Sequence, residues 1–107
     1  MEIFKLNKMT KGWFVGDFEP SIIRTNSCEV GIKAYKKGTK ELSHYHKASK
    51  EITAIIKGKA KINEHILFEG DIILIDENEV AQFEAIEDVI TVVYKSKSLV
   101  NDKFLVK

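Results

Sequence analysis

The chain has 107 residues, of which 44% are hydrophobic and 31% are charged, the size and composition of one globular domain. Seventeen Lys and Arg residues against sixteen Asp and Glu residues leave a formal charge of +1, so nucleic acid is not expected as a partner. Apolar runs such as Ile72–Ile75 are far shorter than the roughly 20 residues that cross a bilayer, so no membrane partner is expected either.

Short runs rich in Val, Ile, Phe, Tyr and Thr recur between turn formers, which is typical of an all-β sandwich or barrel. Residues 72–75 and 89–93 are apolar at consecutive positions, which predicts strands covered on both faces. A short strand at 104–106 would cover a sheet edge, in this subunit or in a partner. The predicted strands before it are residues 12–18, 28–36, 41–46, 51–57, 59–63, 66–68, 71–75, 81–85 and 89–95.

Neither a linker nor a repeat divides the chain, so residues 1–107 are expected to form a single domain. The N-terminus lacks the apolar segment of a secretory signal, and the single Cys28 has no partner for an internal disulfide. These two features predict a cytoplasmic protein. Cys28 also begins an apolar alternation with Val30, Ile32 and Ala34, so we expect it to be a small core residue without a catalytic role.

Two histidines, His44 and His46, are followed five residues later by Glu51. Residues two apart on a strand share a face, so both imidazoles can point to one interior spot, and the next strand can bring Glu51 alongside them. Two neutral imidazoles and a carboxylate are a known ligand set for Zn²⁺ and, with open positions, for non-haem Fe(II). The pattern favours a metal site over the simpler interpretation of one buried histidine and one surface histidine.

This segment closely resembles the first motif of the cupin superfamily, G-x5-H-x-H-x3 or x4-E-x6-G. Every fixed position matches, as Gly38, His44, His46, Glu51 and Gly58. The resemblance implies a double-stranded β-helix, the jelly-roll barrel of cupins, over about residues 28–95, with further strands on either side. It also implies a divalent transition metal such as Fe, Mn, Ni or Zn near the barrel centre, and assembly as a homodimer.

The second cupin motif, G-x5-P-x-G-x2-H-x3-N, is intact only at its start, Gly70. Asp76, Asn78, Ala81 and Ala85 stand at the other fixed positions, so the family's fourth metal ligand, the histidine, is missing. Asparagine tolerates the left-handed conformation that the motif's glycine would adopt, so the turn at Asn78 is expected to persist.

Gln82 lies next to the vacant histidine position and is an alternative ligand through its amide oxygen. Strand alternation directs Ala81 and Phe83 inward and Gln82 outward, so this alternative requires a bulge or a register slip. We therefore expect a three-residue site completed by water or ligand, or a site that has lost its metal.

Thr53 shares a face with Glu51, and Thr53 and Phe83 are expected to line a substrate pocket for a small polar molecule. Trp13 is expected in the core or at a dimer interface, and Arg24 on the surface. If the chain is an enzyme, the cupin resemblance implies a metal-dependent type such as a dioxygenase or an isomerase. The alternatives are a metal-free sugar-nucleotide isomerase or epimerase that uses histidine acid–base chemistry, a cupin that binds a small ligand without turnover, and a scaffold.

Overall fold

Eleven short strands and one 3-10 turn are found in the computed structural model, which describes residues 1–106. No helical segment in this part of the chain is long and apolar enough to cross a membrane. The turn spans Leu6–Lys8, and the strands are β1 (Trp13–Gly16), β2 (Ile23–Arg24), β3 (Glu29–Tyr35), β4 (His44–Tyr45), β5 (Glu51–Lys57), β6 (Ala60–Ile62), β7 (His65–Leu67), β8 (Ile72–Ile75), β9 (Phe83–Ala85), β10 (Val89–Lys95) and β11 (Phe104–Leu105).

The largest sheet has six strands in the order β2-β1-β3-β10-β5-β8, antiparallel except for the pair β1–β2. A second sheet, β7-β6-β9, and the pair β11-β4 complete the fold. The architecture is all-β, as the strand rhythm predicts, and it has the double-stranded β-helix form that the resemblance implies. The core consists of the buried apolar side chains Ile55, Ala60, Ile62, Leu67, Ile75, Ala81, Phe83, Ala85 and Val89.

Two turns show why the sequence folds at these points. Gly58 has φ +87°, and a Cβ atom built there would lie 2.1 Å from the carbonyl oxygen of Asp88, so only glycine fits. Asn78 has φ 64°, the left-handed conformation expected for it from the sequence. Both turns bring the next strand back onto the barrel.

The C-terminal strand β11 pairs with β4 of the same subunit, with Phe104 opposite Tyr45 and Leu105 opposite His44. The alternative of pairing with a partner subunit is therefore not needed to cover this edge. The predicted strand at 41–46 is shorter in the structure, His44–Tyr45, and the short strand Ile23–Arg24 was not predicted.

The apolar alternation in β3 faces outward, which contradicts the sequence prediction. Lys33 and Tyr35 line the barrel cavity, so Val30, Ile32 and Ala34 lie on the opposite face of the strand. Cys28 precedes the strand and is only half-buried, not the fully buried core residue expected. The prediction failed because this barrel encloses a partly polar cavity, so charged side chains of the strand point inward.

The two continuous apolar strands are also covered on one face only. In β10, Val89, Thr91 and Val93 are buried, whereas Ile90 and Tyr94 are 37% and 38% exposed. In β8, Ile75 is buried while Ile72 and Leu74 point outward and are exposed. The expectation that both faces are covered is therefore wrong for the isolated chain, which has an apolar outer surface on its main sheet.

Candidate metal centre

His44, His46 and Glu51 meet at one end of the barrel. Their nearest ligand atoms all lie within 4.8 Å of one another. The two imidazole rings stand edge to face with centroids 5.3 Å apart, and His46 Nε2 is 3.8 Å from Glu51 Oε1. Imidazole and carboxylate ligands bind a metal ion at about 2.0–2.2 Å. Rotation of these side chains would let the three ligand atoms reach one ion at that distance.

Hydrogen bonds orient both histidines for coordination. His44 Nδ1 lies 3.1 Å from the carbonyl oxygen of Leu42, and His46 Nδ1 lies 2.7 Å from that of Asp102. A carbonyl oxygen only accepts, so each Nδ1 carries the proton and donates it. In a neutral imidazole with its proton on Nδ1, the Nε2 atom keeps a free lone pair, as in many protein metal sites.

His46 Nε2 is a buried polar atom without a hydrogen-bond partner in the described structure. Burial lowers the pKa of His46, and the positive charge of Lys95 lowers it further, against the opposing effects of Asp102 and Glu51. The ring is therefore neutral at physiological pH. A buried lone pair left without a partner is costly, and a metal ion is a group that would satisfy it.

Glu51 is the first residue of β5, where strand alternation places it on the inner face with Thr53 and Ile55. The hydroxyl of Thr53 donates a hydrogen bond of 3.1 Å to Glu51 Oε2. The other oxygen, Oε1, faces His46. Thr53 therefore orients the carboxylate so that one oxygen is directed at the histidines.

The C-terminal tail supports the same site through Asp102. Its carboxylate accepts hydrogen bonds from the backbone N–H groups of Lys47 and Ala48 and from the hydroxyl of Ser49. Partial burial opposes ionisation, but these hydrogen bonds outweigh it and lower the pKa of Asp102. The ionised side chain thus holds the turn between the histidines and Glu51. The sequence gives no signal for this contact, since Asp102 is 53 to 55 positions away from its partners.

Ala81 stands where the cupin motif places its second-motif histidine. It forms a backbone bridge with His44, with N–H to carbonyl distances of 2.8 and 3.0 Å in the two directions. Ala81 lines the cavity and is 6% exposed. The missing ligand position is therefore directly beside the first histidine.

Gln82 does not replace the missing ligand. Its amide nitrogen donates to the carbonyl oxygen of Glu41, and its backbone N–H donates to Asn63. Its neighbours Ala81 and Phe83 line the cavity, but Gln82 does not. The alternation is regular here, so the alternative that required a bulge is excluded by this geometry.

The cavity next to the three residues has a volume of about 270 Å³. Its lining includes His44, Glu51, Thr53 and Phe83. His46 instead lines a neighbouring pocket, which it shares with residues of the C-terminal tail such as Asp102. Phe83 packs on the ring of Tyr35 with centroids 4.5 Å apart.

Several lining residues were not identified from the sequence. These are Trp13, Lys33, Tyr35, Thr91 and Lys95. Burial, together with the charge of Glu41, raises the pKa of Tyr35, so its hydroxyl stays protonated. Trp13 lies at the cavity and not in the apolar core. Strand alternation places Lys33 and Lys95 on the cavity side of their strands. The sequence does not reveal this, because a lysine in an alternating strand is ordinarily expected to face solvent.

No protein-family model matches the sequence, and no curated protein matches it either. Solved structures match it in three dimensions. An uncharacterised conserved protein with a double-stranded β-helix domain from Klebsiella pneumoniae has a TM-score of 0.71 and 20% identity, covering 96% of this chain and 89% of its own. A cupin-2 domain protein from Shewanella frigidimarina has a TM-score of 0.60 and 15% identity, covering 71% and 76%. The chain has the cupin fold.

A third similar structure is the bacterial pirin YhhW from Escherichia coli, in complex with nickel(II), with a TM-score of 0.68 and 14% identity. The match covers 82% of this chain and 39% of the pirin. Several other similar proteins are also longer, and the chain spans 24–30% of their length. At these identities the likeness establishes the fold alone.

Proposed function

We propose that this chain binds a divalent transition metal, Fe, Mn, Ni or Zn, through His44, His46 and Glu51. The observation that carries the proposal is the buried Nε2 atom of His46, which has no hydrogen-bond partner among residues 1–106 and lies 3.8 Å from Glu51 Oε1. Both histidines hold their Nδ1 protons on backbone carbonyls, which leaves the Nε2 atoms free as ligands. The nickel bound by the similar pirin supports a transition metal in a barrel of this kind.

We further propose that the metal acts on a small polar molecule in the adjoining cavity, in a cytoplasmic protein. Three protein ligands leave coordination positions open, and the short side chain of Ala81 leaves space beside His44. A bound metal supplies Lewis-acid polarisation of an oxygen on that molecule. Thr53 keeps the Glu51 carboxylate oriented, and Phe83 with Tyr35 forms an apolar wall that limits water around the ligand.

The metal content of the purified protein tests the first part. We expect about one equivalent of transition metal after loading with Fe, Mn, Ni or Zn, and loss of it in Glu51→Ala. Glu41→Ala is the matched control, since Glu41 is a second carboxylate of the same cavity outside the group of three. Wild-type protein that takes up no metal under any loading condition would refute the proposal and leave the acid–base and metal-free binding alternatives.

Turnover is tested separately, with metal-loaded protein and candidate small polar molecules. Oxygen consumption would identify an oxygenase, and conversion without oxygen would identify an isomerase. Metal uptake without any turnover would assign the chain to the non-catalytic binding alternative.

A further inference from the structure

The cavity carries more positive than negative charge. Lys11, Lys33, Lys95 and Lys103 line it, against two carboxylates, Glu41 and Glu51. Glu51 belongs to the proposed metal centre, so its charge is directed at the ion. The remaining lining is basic, which predicts attraction of a negatively charged molecule.

Two of these lysines flank Trp13. A Cβ atom at Gly31 would lie 2.6 Å from Cε3 of the Trp13 ring. The indole therefore packs over β3 at a position where only glycine provides enough space. The Lys33 ammonium lies 5.1 Å from the ring centroid and that of Lys95 lies 5.0 Å from it. The two ammonium groups thus lie by the same ring, no more than about 10 Å apart.

Lys33 is the less compensated of the two. Lys95 has a carboxylate oxygen of Glu29 at 3.7 Å, whereas Lys33 Nζ donates to the neutral backbone carbonyl of Lys11 at 2.6 Å. Within residues 1–106, no carboxylate lies within ion-pair distance of Lys33. Burial disfavours the charge of Lys33 and lowers the pKa of Lys33, partly opposed by Glu41. An anion in the cavity would compensate that charge.

Thr91 provides an independent indication of a ligand. It lies opposite Lys33 on the neighbouring strand, lines the cavity and is 1% exposed. Its hydroxyl oxygen Oγ1 has no hydrogen-bond partner in the described structure. A hydroxyl buried without a partner is uncommon in folded proteins, and this one can donate to an oxygen of a bound molecule.

The register connects these groups to the metal centre. Lys95 is the cross-strand partner of Glu51. Lys33 pairs with Thr91, which lies four residues before Lys95 on the same strand, β10. A cavity of about 270 Å³ is at the small end of ligand-binding pockets. From this placement we propose that the ligand is a small organic anion whose carboxylate or phosphate is bound by Lys33, Lys95 and Thr91. The inference deepens the proposed function, because it names the class of molecule next to the metal.

Fluorescence titration tests the proposal, because Trp13 is the only tryptophan and reports on this site. We expect malonate, inorganic phosphate or both to change its emission saturably, and the neutral malonamide not to do so. Comparing the two anions shows whether carboxylate or phosphate is preferred. Lys33→Met should weaken anion binding about tenfold or more, since hydrogen bonds to charged groups are among the stronger ones. Thr91→Val, which keeps the side-chain shape, should weaken it several-fold, about the loss of one hydrogen bond.

Lys37→Gln is the control, since Lys37 lies in an exposed turn. Circular dichroism and thermal melting verify that each variant is folded, and Thr91→Val provides the test if Lys33→Met is not. Each titration is run with metal-free and metal-loaded protein. Anion binding that depends on Lys33 in metal-free protein supports the site even if the metal proposal fails. Metal uptake with no anion binding, or with binding unchanged in both variants, overturns the anion site and leaves the metal proposal standing.

Discussion

Ala81 is the residue that separates this site from a four-ligand cupin centre. Its backbone bridge to His44 places its side chain beside the proposed metal ligands, on the cavity wall. Ala81→His should therefore add a ligand and tighten metal binding about tenfold or more, which corresponds to about 1.4 kcal/mol. Isothermal titration with Ni²⁺ or Zn²⁺ measures the change.

The neighbouring variant Val80→His is the control for this prediction, since Val80 is 43% exposed and does not line the cavity. It adds a histidine to the same segment without directing it into the barrel. Equal metal affinities of folded Ala81→His, Val80→His and wild type would contradict the arrangement of ligands described above.

Some residues of the candidate site could be identified from the sequence, and others could not. His44, His46 and Glu51 could be identified because the two histidines are spaced as on one strand face and the next predicted strand begins at Glu51, and the structure brings the three together. Lys33 could not, because a lysine in an alternating strand is expected to face water, and only a polar cavity reverses that expectation. The unpartnered Thr91 hydroxyl is visible only once its surroundings are known.

At the scale of elements, strand β4, which carries His44, has just two residues and is paired with the C-terminal tail. Strand β11 pairs along it, and the Asp102 carboxylate holds the turn that follows it. The sequence predicts that residues 104–106 form a strand, but not where it docks, because the pairing joins segments 59 residues apart. Such non-local pairing is determined by the closed barrel, not by local pattern.

Asp102→Ala should destabilise the fold by about 1–2 kcal/mol, because it removes the acceptor for the N–H groups of Lys47 and Ala48 and for the hydroxyl of Ser49. Urea denaturation of metal-free protein measures the free energy of unfolding. Asp102→Asn keeps one side-chain oxygen and should lose less. An alanine variant as stable as wild type would show that the tail does not support the turn.

At the scale of the whole molecule, the main sheet has an apolar outer face around Ile52, Leu74 and Tyr94, which are paired neighbours on three strands. Ile52 is 38% exposed and Leu74 is 55% exposed in the isolated chain. A contiguous apolar face of this kind typically marks an interface. The expected homodimer stays a prediction. In a dimer formed through this face across a two-fold axis, each copy would cover the same apolar surface of the other copy.

Leu74→Lys should convert such a dimer to monomer, because it would place charges in the centre of the interface at little cost to the exposed position. Light scattering coupled to gel filtration measures the mass. Leu42→Lys is the matched control, a leucine with 69% exposure that lies outside the strands of the main sheet. A monomeric wild type, or a Leu74→Lys variant that stays dimeric, would contradict this interface.

The most direct test of the central claim is a crystal structure of metal-loaded protein with anomalous scattering recorded at the metal's absorption edge. We predict one strong anomalous peak within bonding distance of His44 Nε2, His46 Nε2 and a carboxylate oxygen of Glu51, with an open position toward Ala81. A fully loaded protein whose anomalous peak lies elsewhere, with no metal between His44, His46 and Glu51, would contradict the assignment of this site.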